Sequence, residues 1–148
     1  MLTCKKTTLL LIGSLLTLSS MQAISAPTNN EDQDTLKIIM QGLLKNTHKI
    51  TQGIVLHDFA LIEKAAKNIA EHPKPSMMTR MKLVKAMGAD MGKFKTKDDV
   101  VHHSSVNLIK AAQQKDMPAI QQEYQIMING CVACHNEFKE RVAKILSK

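Results

Sequence analysis

Cys131-Val132-Ala133-Cys134-His135, ending thirteen residues short of the C-terminus, is the stretch from which the rest of this 148-residue chain can be read. Two cysteines three apart with a histidine directly after the second have the spacing of a covalent c-type haem attachment site. On an α-helix the three residues sit at i, i+3 and i+4, so they project from one face. The two sulfurs can then bond to the vinyl groups at one porphyrin edge while the imidazole reaches the iron, for which neutral histidine is a good ligand. Two other readings stay open on the residues alone. A Cys-x-x-Cys pair also serves as a dithiol redox site, although no βαβ pattern surrounds it here, and it can be half of a zinc site, although no second Cys/His pair stands at matching spacing.

Working outward, Ile120, Tyr124, Met127, Cys131, Cys134, Phe138, Val142 and Ile145 fall along one side of a helix. Asp116 caps it, and Pro118 sits in its first turn, where proline is tolerated. The motif is therefore expected mid-helix, on the core-facing side. Ahead of it, Thr96 and Asp99 have the form of a capping box that opens a helix from Lys97 to Lys115, with Val101, Leu108 and Ala112 on its core face. Phe94 then falls in a loop. Met77 to Met87 reads as a short helix, and Gly88 and Gly92 break the chain after it. Earlier still, Leu61, Ile62, Ala65, Ala66 and Ile69 stripe a helix from Phe59 to Glu71 that Pro73 and Pro75 cannot continue. Leu36, Ile39, Met40, Leu43, Thr47, Ile50 and Ile54 recur at helical steps from Thr35 to Leu56. No strand-like alternation occurs. The pattern predicts an all-α domain over residues 35–148, an antiparallel four-helix bundle with c-type haem on its C-terminal helix.

The N-terminus has a different character. Lys5 and Lys6 precede an apolar run from Thr7 to Leu18, followed by the small residues Ala23, Ser25 and Ala26. That is the layout of a secretory signal peptide over residues 1–26, too short for a membrane span. Residues 27–34 form a polar, mobile lead in which Asp32 or Asp34 can cap the first helix. Export to the periplasm suits the motif, because haem is joined to such sites outside the bacterial cytoplasm. It also removes Cys4, leaving only the two motif cysteines and no disulfide framework.

The formal charge of +7 drops to +5 without Lys5 and Lys6, since residues 1–26 hold no acid. Lys139, Arg141, Lys144 and Lys148 gather around and after the motif, which would favour an acidic redox partner, although a solvated helix face reads the same way. Basic and aromatic residues do not interleave, so nucleic-acid binding has no support. Aromatics are scarce, with no Trp, one Tyr and three Phe, and a porphyrin would fill volume that large flat side chains usually supply. Most of the ten methionines read as adaptable core filler. No paired carboxylates, activated nucleophile or phosphate loop points to an enzyme.

A bundle of this length with Cys131, Cys134 and His135 on its last helix resembles the class II cytochromes c, the cytochrome c′ family; class I relatives carry the motif near the N-terminus. The resemblance implies one covalent haem c held by Cys131 and Cys134, with His135 as proximal ligand, and a possible homodimer. Two departures stand out. The aromatic-Arg pair common after the family's motif is replaced by Phe138-Lys139 with Arg141 further on, and the connection ahead of the third helix is rich in methionine and lysine.

The family divides by what faces the far side of the iron. Aligning Ile50-Thr51 with the usual end of the first helix places Met40 there, on the predicted core stripe. Methionine ligation would fill both axial positions and describes a low-spin electron carrier. Were Met40 only packing, the iron would be five-coordinate, high-spin and open to nitric oxide or carbon monoxide. His48 is a weaker rival; His57, His72, His102 and His103 read as surface or loop residues.

Overall fold

In the computed structural model, which describes residues 36–146, helix accounts for nearly all of the described residues. The helices are α1 (Leu36–Leu56), α2 (Phe59–Ala70), α3 (Met77–Met87), α4 (Met91–Gln113) and α5 (Met117–Leu146), with a 3-10 turn over Gly88–Asp90. The expected signal peptide, the polar lead, its Asp32 or Asp34 cap and Thr35 lie outside the described residues. α1, α2, α4 and α5 make the antiparallel four-helix bundle, and α3 is a short extra helix in the connection between its second and third members. Cross-helix bonds fix the pairings: Asn68 donates to Asn46 at 3.1 Å, Gln113 to Glu63 at 2.8 Å and Asn107 to Glu123 at 3.3 Å.

The two tight turns share one construction. His57 after α1 and Lys115 after α4 take positive φ of 54° and 56°. The next backbone N–H reaches back five residues in each case, Asp58 to the Gly53 carbonyl at 2.8 Å and Asp116 to the Ala111 carbonyl at 3.0 Å. These are Schellman closures, built here without glycine. The same two aspartates then cap the helices that follow: Asp58 Oδ1 accepts from Leu61 N at 2.9 Å and Asp116 Oδ1 from Ala119 N at 3.1 Å. Ser76 caps α3 by accepting from Thr79 N, and Gly88, at φ 52°, ends it.

α4 departs from the sequence reading. It starts at Met91, so Gly92 and Phe94 lie within it, and Thr96 and Asp99 form no capping box. Thr96 Oγ1 instead donates back to the Gly92 carbonyl at 3.0 Å, and Asp99 pairs with Lys95 at 2.7 Å. The reason is tertiary. Met91 and Phe94 pack onto a buried cluster, and that burial outweighs the roughly 1 kcal/mol helix cost of a glycine.

The core is divided in two along the bundle. Ile50, Ile62, Ala66, Ile69, Leu108, Ile120 and Met127 fill the end that holds both tight turns, between α1, α2, α4 and α5. Twelve-residue α2 is only about 18 Å long and stops short of the other end. There α3 takes its place, and Leu36, Leu83, Met87 and Phe138 make a second cluster between α1, α3 and α5, joined by Met91 and Phe94 from α4.

Candidate haem-attachment site

α5 runs unbroken through the motif for 30 residues, so helical spacing sets its geometry. Immediately before it, α4 and α5 come unusually close: a Cβ on Gly130 would stand 3.1 Å from both Val100 Cγ1 and Val101 Cγ2. Cys131 and Cys134 follow as free thiols, one turn apart and half-buried. Burial pushes both thiols up from their ordinary value, with the Asp98 charge adding to the effect at Cys134. The expectation that the motif faces the core describes the two cysteines; His135 is turned further round and is exposed.

Cys134 packs against the second cluster, and so does Met40 from the first turns of α1. The chain thus brings Met40, Cys134, Phe138 and Val142 to one end of the bundle. Register between α1 and α5 follows from the hydroxyls of Thr51 and Tyr124, which lie 2.7 Å apart. Met40 stands eleven residues before Thr51, and His135 eleven after Tyr124. In an antiparallel pair both are reached by equal steps of about 16 Å, close to three whole turns, which returns each to the seam where the hydroxyls meet. Direct contact between α1 and α5 is slight. The other histidines stand elsewhere. His48, His57, His102 and His103 are exposed, and half-buried His72 bonds the Pro73 carbonyl through Nδ1 at 2.9 Å.

Several residues of this end carry no signal in the sequence. Met87, 2 % exposed, and half-buried Met91 add two more thioethers to the cluster shared by Met40 and Cys134. Phe94 meets Phe138 edge to face, ring centres 5.4 Å apart. Arg141 lies over the Phe138 ring, donates to Asp90 Oδ2 at 3.0 Å, and reaches Met87 Sδ at 3.9 Å. The aromatic-arginine association that sequence adjacency lacked is therefore made through space, three residues apart on α5.

The donor set fits a haem. Two free thiols and an imidazole share a helix beside an apolar cluster, suited to thioether links at a porphyrin edge and to an axial nitrogen on iron. Bound there, haem supplies one-electron redox chemistry or binding of small gases. The rival readings fit less well. No group of three or more His, Cys, Asp or Glu side chains among the described residues could hold a metal ion, which leaves a zinc site without ligands. Reactive dithiols sit near helix N-termini, whereas these two cysteines lie in mid-helix.

Fold and site together define a helical-bundle c-type haem protein. A family model described as Cytochrome C' matches residues 33–139, a span that contains Met40, Cys131, Cys134 and His135. The chain belongs to that family, whose members are four-helix bundles with a covalently attached c-type haem. They are typically periplasmic, and are generally electron carriers or ligand binders and not enzymes. No curated protein and no solved structure matches the chain. No helix among the described residues is long and apolar enough to cross a membrane.

Proposed function

We propose that this cytochrome carries single electrons in the periplasm, with one haem c held by Cys131 and Cys134 and low-spin iron bound by His135 and Met40. The observation that supports the reading is that Met40 and Cys134 pack against one cluster, and equal helical steps from the Thr51–Tyr124 pair lead to Met40 and His135. Met40 and His135 would hold the iron through a thioether and an imidazole, and haem so held would supply one-electron redox chemistry with ferrous iron favoured. Half-buried Met40 packs against the apolar and aromatic side chains of the second cluster.

A second reading has an observation behind it too. Met40 packs among Leu36, Leu83 and Phe138 as an ordinary filler would, and such a residue would leave iron five-coordinate and open to nitric oxide or carbon monoxide. Optical spectra of the purified holoprotein separate the two. The carrier gives low-spin bands that carbon monoxide does not alter, and Met40→Ala converts it to a high-spin form that takes up the gas. A wild-type spectrum that shifts with carbon monoxide, or a Met40→Ala spectrum identical to wild type, overturns methionine ligation.

A further inference from the structure

α3 has two faces with different tasks. Its inner residues Leu83 and Met87 belong to the cluster that also receives Met40 and Cys134. Its outer face leaves Met77, Met78, Met81 and Val84 between 54 and 63 % exposed, with a shallow depression between Met77, Arg80, Met81, Val84 and Lys85. From Pro73 to Ala89 the chain holds Lys74, Arg80, Lys82 and Lys85 and not one acid. Among the described residues none of these four cations has a carboxylate partner; Arg80 lies against Met77 Sδ, at 3.9 Å. On the neighbouring α4 and α5, Lys93 pairs with Asp90, Lys95 with Asp99, Lys97 with Glu137 and Arg141 with Asp90. The basic cluster after the motif, which the sequence suggested for an acidic partner, is partly neutralised in this way.

We propose that the outer face of α3 is the docking surface for a soluble acidic one-electron redox protein. Carboxylates of the partner meet Lys74, Arg80, Lys82 and Lys85, and its apolar centre rests on Met77, Met78, Met81 and Val84. The inference rests on the electron-carrier reading and adds the site of exchange. One electron leaves the reduced partner and takes the iron from ferric to ferrous, with no bond made or broken. Thioether side chains are flexible and polarisable, so they make a small adaptable contact of the kind transient redox encounters use. An anionic membrane is a poorer match, because surface-lying helices present Trp, Phe or Leu, and the one such residue of α3, Leu83, is turned inward.

The test is stopped-flow reduction of the ferric holoprotein by fully reduced flavodoxin, a small acidic one-electron donor. Lys82→Glu/Lys85→Glu is compared with Lys110→Glu/Lys139→Glu, which makes the same change in net charge on α4 and α5. The α3 variant is expected to lower the second-order rate by about tenfold or more at low salt, the difference disappearing near 0.5 M salt, roughly where such charges are screened. The control variant stays within about threefold of wild type, a loss well short of a steered encounter. Equal slowing by both variants, or no slowing by the α3 variant, overturns the proposal. So does binding to phosphatidylglycerol vesicles that Lys82→Glu/Lys85→Glu abolishes while flavodoxin rates stay unchanged. Dithionite reduction and the optical spectrum, recorded on each protein, show separately whether the haem itself is intact and low-spin, so failure of the carrier reading is not mistaken for failure of docking.

Discussion

Arg141 and Asp90 meet at 3.0 Å, and the guanidinium that makes this pair also stands 5.7 Å from the centre of the Phe138 ring. One side chain near the end of α5 thereby ties down the turn between α3 and α4 and covers the aromatic part of the second cluster. The Asp90 carboxyl is held below the usual carboxylate range, first by the Arg141 hydrogen bond and then by Lys93. A carboxylate depressed in this way contributes stability that is complete above its unfolded-state value and is lost as pH falls through the folded one.

Arg141→Gln should therefore be most harmful at neutral pH and progressively less so in acid. Thermal unfolding followed from pH 7 to about pH 2 is expected to show the gap between wild type and variant closing below about pH 4, where carboxylates protonate. A gap that stays constant across the range would assign Arg141 to packing on Phe138 alone.

Met87 lies within the second cluster, Met40 and Met91 pack against it beside Cys134, and the three methionines are expected to behave differently. Met87 is 2 % exposed, so Met87→Ala should cost roughly 2–5 kcal/mol in urea unfolding and leave the reduced optical spectrum as it was. Half-buried Met91 should follow Met87 in kind but with a smaller loss. A spectral change on removing Met87 or Met91, with none on removing Met40, would transfer the axial role to another sulfur.

Cys131→Ala and Cys134→Ala each leave one thioether link. Either single variant, expressed with haem-maturation machinery, should retain covalent haem in lower yield, and the double variant should run at the mass of bare polypeptide when denatured. Haem retained covalently by the double variant would refute attachment at this motif.

Two glycines of α1 make a controlled pair. A Cβ at Gly53 would lie 2.6 Å from Ile62 Cγ1 and 3.0 Å from the Asp58 carbonyl oxygen, whereas Gly42 has nothing within 4 Å. Gly42→Ala should stabilise by up to about 1 kcal/mol through helix propensity. Gly53→Ala should destabilise by about 1–3 kcal/mol, because the α1–α2 turn must open to admit the methyl. Thermal melts of the two variants moving in the same direction would contradict the packing at that turn.

Much of this molecule could be read before any coordinates. The apolar periods over α1, α2 and α5, the prolines after α2, the glycine after α3 and the Asp116 cap each act within a few residues, and the structure has all of them. The start of α4 lies ahead of the point its local signals mark. Thr96 and Asp99 satisfy the local pattern of a cap, but Met91 and Phe94 gain more by entering the second cluster as part of a helix than the chain gains by stopping at Gly92. Local signals compete on the scale of 1 kcal/mol, and burial of large side chains exceeds it.

The sequence by itself determined the haem: Cys131, Cys134 and His135 are neighbours in the chain, so helical spacing alone brings them to one side, and the covalent chemistry needs nothing distant. Only the tertiary structure decided what surrounds them. That Met40, Met87, Phe94 and Arg141 gather at this end of the bundle depends on α2 being too short to reach it, on α3 taking its place, and on the register that Thr51 and Tyr124 set between the first and last helices. Those contacts join residues far apart in the chain, and no pattern within a single helix encodes the distance between it and its neighbour.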